Sequence, residues 1–205
     1  MGAEHLVESE LARGVMAGDA GAFDRFVEHF QGKVFQYSYL MCGHREDAEE
    51  VAQETLFKAF ESFDQLREPE RVKPWVFRIA RNMCLMKRRR GVFAPARELS
   101  LDELMPAGTK EGAERRLEIA DWSSLPDAAV LKSELRETVA RAIGELPDIY
   151  KAVVLLRDME EMTTEETAEI LDVSTDVVKT RLHRGRLALR QKLDAYLRNG
   201  RTVSR

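Results

Sequence analysis

Apolar residues recur at intervals of three and four from Ala22 to Met41, Ala48 to Phe63, Trp75 to Met86, Val130 to Leu146 and Ile149 to Leu197. The alternating Val, Ile and Thr runs that mark strands are missing. A repeat near 3.6 buries one stripe of a helix and cannot keep one face of a pleated strand apolar. The chain is therefore expected to be all-α. Between Gly91 and Pro126 the repeat fails: Pro95, Pro106, Gly108, Gly112 and Pro126 punctuate a stretch containing "ELSLDELMPAGTKEG". Its apolar content is too low to bury itself, so residues 91–127 read as a flexible linker joining two small helical domains, 8–90 and 128–197. A tether of this length permits both an extended and a compact form, and the modules are expected to stand well apart in the free chain. That design suits a protein spanning a larger object better than an enzyme, whose site needs rigid support.

Charge decides what such a protein can bind. With 205 residues, a formal charge of −4 and a pI near 5.7, the chain is not a bulk polyanion binder. Any nucleic-acid site has to be local. Cys42 and Cys84 form no CxxC pair, which argues against a disulfide framework or a zinc ribbon and fits a reducing cytoplasm. Cys42, His44 and His29 read as partly buried thiol and surface imidazoles rather than as metal ligands. No apolar run is long enough for a membrane span or a signal segment. Neither a phosphate-cradling Gly-rich loop nor a Ser/His/Asp set is present, so neither catalysis nor a cofactor is expected.

Two adjacent segments carry opposite charge. Glu46 to Glu70 holds nine acids against Lys58 and Arg67, whereas Arg71 to Arg90 holds eight bases and no acid. At 100° per residue, Ala48, Val51, Ala52, Thr55, Leu56, Ala59, Phe60 and Phe63 share one arc of the first segment and are expected in the core. Glu46, Glu50, Gln53, Glu54 and Glu61 lie opposite, with Phe57 in their midst. An aromatic centred on an acidic face is costly alone and useful as an interface anchor, so this face predicts a protein partner with a basic docking surface.

The basic segment "WVFRIARNMCLMKRRR" projects in the same way. Trp75, Val76, Ile79, Ala80, Met83 and Met86 form the inward arc. Arg78, Arg81, Asn82, Leu85, Arg88 and Arg89 form the outward one. A row of guanidinium groups makes counterion-releasing phosphate contacts, and an Asn among them offers the donor and acceptor needed to read a base edge. Trp75, with the preceding "DQLREPERVK", is placed to hold an unstacked base, as aromatic faces in basic grooves grip single strands.

Near the C-terminus, "TTEETAEILDVSTDVVKTRLHRGR" spells a short helix from Thr164 to Leu171, a turn at Asp172 to Ser174 and a longer helix from Thr175. Ala168 is the small residue at which two helices touch, and Leu171, Val173, Val178 and Leu182 fill the space between them. This is helix-turn-helix spacing. Asp172 takes the turn position where Gly is usual, tolerable because Asp enters positive φ more readily than most residues. Val178, Leu182, Gly185 and Leu189 point inward. Asp176, Thr180, His183 and Arg184 project outward, Lys179, Arg181, Arg186 and Arg190 flank them, and Ser174 and Thr175 stand at the helix start. Base readers thus occupy the centre and phosphate clamps the edges.

Taken in order, "DAEEVAQETLFKAF", "WVFRIARN", the Pro/Gly linker and "ELPDIYKAVVLLRDMEEMTTEETAEILDVSTDVVKTRLHRGRLAL" resemble the extracytoplasmic-function (ECF) group of bacterial sigma factors over about residues 8 to 195. "ESELARGVMAGDAGAFDRFVEHF" is similar to the family's opening helices. The resemblance implies that the first module, region 2, binds the clamp helices of the polymerase β′ subunit and melts the −10 promoter element. It implies that the last module, region 4, binds the −35 element and the β flap. Asp47, Glu50, Gln53, Glu54 and Phe57 then fall on the polymerase-docking helix, and Asn82 with the loop before Trp75 on the −10 reader. An anti-sigma factor, common in the family, is the expected regulator. A stand-alone helix-turn-helix repressor or activator is the alternative, but it leaves Phe57 and the basic helix without a task.

Overall fold

The computed structural model describes residues 3–90 and 128–200; the linker expected at 91–127 lies outside the described residues. All regular structure among the described residues is helical. Helices α1 (Ala3–Ala17), α2 (Ala22–Cys42), α3 (Arg45–Glu61) and α4 (Val72–Arg90) make the first module. The second comprises α5 (Ala128–Gly144), α6 (Asp148–Val154), a π-helical turn at Leu155–Met159, α7 (Thr164–Leu171) and α8 (Thr175–Gly200).

Aromatic and aliphatic spacing on α2 explains the first core. Phe26, Phe30, Val34 and Tyr37 follow one stripe and are buried. Phe63, from the 3-10 turn after α3, meets Phe26 edge-on at 5.3 Å, and Tyr37 meets Phe77 of α4 at 5.4 Å. Gly43, at φ 81°, ends α2 in a left-handed cap whose N–H reaches the Tyr39 carbonyl, a conformation glycine adopts without a Cβ penalty.

Two side chains expected in the core are elsewhere. Phe60 and Met86 were placed on inward arcs, yet Phe60 is 60% exposed and Met86 is also exposed. Phe60 lies at the edge of the α3 stripe, where Phe23 meets it edge-on, ring to ring at 4.8 Å. On α4 the fully buried positions are Val72, Val76, Phe77, Ala80 and Cys84, a stripe shifted from the expected one to take in Phe77, which meets Tyr37 of α2, and Cys84.

In the second module, Thr163 caps α7: its hydroxyl accepts from the Glu166 N–H at 3.1 Å while the Glu166 carboxylate accepts from the Thr163 N–H at 2.7 Å. This reciprocal pair satisfies two donors that a helix start leaves open. Asp172 ends α7 at φ 56°, in the left-handed conformation expected of it. Ser174 then accepts from the Val177 N–H at 3.3 Å and starts α8.

The modules do not stand apart. Helix α4 packs against α7, and α2 against α5 and α6. Buried residues of the two halves form one contiguous cluster. The expectation of separated modules drew on the tether alone and took no account of complementary charge on the two faces that meet.

Candidate protein and nucleic-acid interfaces

Helix α3 presents the acidic and aromatic face expected of it. Gln53, Glu54 and Phe57 are exposed, and Ala48, Val51, Ala52, Thr55 and Ala59 are buried behind them. Phe57 is 60% exposed, and Phe60, one turn further on, extends the apolar surface. Phe60 is the residue that helical projection missed; its position at the edge of the arc was the only available signal. Asp47 and Glu50, also assigned to this face, are already engaged by Lys87 of α4, the Asp47 contact being 3.2 Å. The freest part of the face therefore centres on Gln53, Glu54, Phe57 and Phe60.

Helix α4 and the turns before it build the basic surface. A cleft of about 310 Å³ runs along Arg67, Glu68, Arg71, Pro74, Trp75 and Arg78 and is closed on one side by Glu169 of α7. Trp75 is half-buried, edge-on to Phe63 at 5.5 Å, so its position is fixed by the core while part of it faces the cleft. Asn82 is exposed, its side-chain oxygen 3.3 Å from an Arg81 guanidinium nitrogen that donates to it. The side chain of Arg89 lies outside the described residues.

The basic row is not open, however. Arg71 pairs with the Glu169 carboxylate, and Arg78 donates to the Glu169 carbonyl at 3.1 Å. Arg81 donates to the Leu171 carbonyl at 3.3 Å, and Arg88 pairs with Asp148. Lys73 lies 3.8 Å from Glu160. Sequence projection brought the cations to one face of α4 but gave no sign that acids of the second module, Asp148, Glu160 and Glu169, cover them.

On α8 the outward set is Asp176, Lys179, Thr180, His183 and Arg184, all exposed; Ser174 is exposed, and Thr175 and Arg181 are half-buried. Lys179 has Asp176 at 3.4 Å as a weak neighbour. Arg186 is held by both oxygens of Asp158, at 2.5 and 3.1 Å, which makes it a brace between α8 and the π-helical turn as well as a flanking cation. Gly185 lies where α8 crosses α6: a Cβ there would come within 2.8 Å of Val154 Cγ2.

One further cluster emerges from the fold. Glu4, Glu8 and His29 bring their ligating atoms within 4.8 Å of one another. The Lys33 ammonium lies among them, 2.6 Å from Glu4 and 2.7 Å from Glu8. The carboxylates thus already have their cation. Among the described residues, no helix is long and apolar enough to cross a membrane.

Residues 26–92 match the model of sigma-70 region 2, and residues 136–189 match that of sigma-70 region 4. Together with the two helical modules and the helix-turn-helix, these matches define the class, a sigma factor of the sigma-70 type. The ECF RNA polymerase sigma factor SigW of Bacillus subtilis is 35% identical over 93% of this chain and 98% of its own. The ECF RNA polymerase sigma-E factor of Haemophilus influenzae is 29% identical over 95% and 100%. In fold, the chain is similar to the sigma factor RpoE solved in complex with the anti-sigma factor NepR from Bartonella quintana, with TM-score 0.60 and 19% identity over 85% of this chain and 98% of that one. The chain belongs to the ECF sigma factors and directs transcription initiation by RNA polymerase.

Proposed function

We propose that the work of initiation is divided between three faces. Gln53, Glu54 and Phe57 of α3, with Asp47 and Glu50 at its start, dock on the β′ clamp helices of core polymerase. Trp75, Arg78, Arg81, Asn82, Arg88 and Arg89 grip the −10 element, the guanidinium groups on phosphates and Asn82 on a base edge. Ser174, Thr175, Asp176, Lys179, Thr180, Arg181, His183, Arg184 and Arg186 meet the −35 element, while the same module contacts the β flap. Region 2 then spans 8–90 and region 4 spans 128–197, joined by 91–127. The protein acts by binding, in the cytoplasm, without chemistry of its own, and an anti-sigma factor regulates it.

The observation that carries this reading is the position of Phe57. An aromatic 60% exposed among acids is unexplained by folding and is what an interface anchor requires. The basic row of α4 lies on a different helix, so the two activities are separable by mutation. Replacing Arg78 and Asn82 together by Ala should abolish promoter opening by the reconstituted holoenzyme while leaving its assembly intact, as read by permanganate footprinting and by core binding. Loss of assembly in that variant would contradict the division of labour.

A further inference from the structure

Cys42 ends α2 and Cys84 lies on the inner face of α4, 42 positions further along the chain, yet the fold brings their sulfurs to 3.9 Å. Neither docking on polymerase nor reading of a promoter uses them. Ser38 precedes Cys42 by one helical turn and shares its face. Its buried hydroxyl has no hydrogen-bond partner and lies near enough to Cys84 to favour the thiolate there. Among the described residues, no third Cys, His or carboxylate gathers with the two sulfurs. The surroundings are short of negative charge. Lys151 of α6 is buried, its partner Asp148 lies 3.9 Å away, and Arg88 shares that carboxylate. Lys87, Arg88 and Lys151 all bring positive charge to Cys42, with Asp47 opposing them. A buried cation without full compensation is costly, so the place favours an occupant that leaves the sulfurs and itself net negative.

We propose that Cys42 and Cys84, with Ser38 beside them, form a site for one soft monovalent metal ion of the copper(I) class. Sulfurs 3.9 Å apart can both reach one ion through bonds of about 2.3 Å, the zinc–thiolate length, while both helices stay in place. Thiolates select soft ions, and zinc asks for four ligands where this place supplies two sulfurs and a hydroxyl. Calcium and magnesium ask for oxygen donors. A monovalent ion on two thiolates carries one net negative charge, which Arg88 and Lys151 are placed to balance. Binding releases the thiol protons to solvent and changes no oxidation state. Entry is by way of half-buried Cys42, since Cys84 is fully buried. The bound ion ties the end of α2 to α4 between Asn82 and Arg88.

The test uses the full chain, reduced and under argon, titrated with copper(I) in competition with bathocuproine disulfonate. The parent should take up one ion. Cys42→Ala and Cys84→Ala should each lose affinity on the order of hundredfold, because the second thiolate no longer binds as an intramolecular partner. His44→Ala, an exposed neighbour of Cys42 in sequence, should bind like the parent. The melting temperature should rise with copper(I) in the parent and stay level in Cys84→Ala. X-ray absorption at the copper edge reads the donors in the parent chain itself, so a variant that folds poorly does not decide the matter; two sulfur neighbours are expected. A single sulfur neighbour, or a folded Cys84→Ala chain that binds as tightly as the parent, would reduce the site to one accessible thiol and overturn the proposal. Thiols lost without copper retained would overturn it too, since that result is oxidation to a disulfide rather than binding.

Discussion

Phe57 and Phe60 stand one turn apart with equal exposure but different support. Phe60 rests edge-on against Phe23, whereas Phe57 belongs to the acidic face. Phe57→Ala should weaken core polymerase binding by about 2 kcal/mol, near thirtyfold, with an unchanged melting temperature. Titration of labelled core gives the first and a thermal melt the second. The two cysteines make a second contrast. Their sulfurs lie 3.9 Å apart, Cys42 half-buried and Cys84 fully buried. Hydrogen bonding from Cys84 holds the Cys42 thiol below its ordinary range, while that same hydrogen bond and burial push Cys84 up. A disulfide reagent such as Ellman's should therefore titrate one thiol in the native chain and the second only on unfolding. Cys42→Ser should abolish the fast reaction.

At the scale of elements, the crossing of α6 and α8 depends on a missing side chain. Alanine at 185 would improve helix propensity by nearly 1 kcal/mol, but its Cβ would press on buried Val154 at 2.8 Å. Overpacking of about 2 kcal/mol wins, so Gly185→Ala should lower stability by about 1 kcal/mol in denaturant melts. On the outer side of α8, Arg184→Ala should relax −35 preference by about 1–3 kcal/mol at the base it reads, whereas Lys179→Ala should weaken all sequences alike and reduce the salt slope by about one. Selection from a randomised −35 library separates the two outcomes. The helix-turn-helix was legible residue by residue, from the ends of α7 and the left-handed Asp172 to the inward Gly185, because local pattern determines them. The edge of an arc was not: Phe60 and Met86 were misplaced because periodicity names a stripe, and only the neighbouring helices decide how wide it is. The grip of α7 on α4 was illegible for a different reason. It joins residues some ninety positions apart, and no local repeat records such a pairing.

For the whole molecule, the contact between modules should respond to pH. Glu160 reaches from the second module into the first, facing Lys73 at 3.8 Å and lying in the field of Lys33, Glu8 and Glu4. Burial pushes its carboxyl up to about 7 against an ordinary 4.5, and Lys73 only partly offsets this. The closed form thus holds a proton that an opened form releases. Its contribution is fully present below about pH 4.5 and is lost as pH rises through about 7. Small-angle scattering should show a larger radius of gyration at pH 8 than at pH 5.5, and Glu160→Gln should remove most of that difference. The division of labour between α3 and α4 can be tested in a single experiment, reconstituted transcription from a promoter of this chain at rising concentrations of the factor. Phe57→Ala should recover parental output when enough protein is added, because only its affinity for polymerase has fallen. Arg78→Ala with Asn82→Ala should saturate polymerase normally and still give no transcript. If both variants recovered with added protein, or neither did, docking and promoter reading would not reside on separate faces.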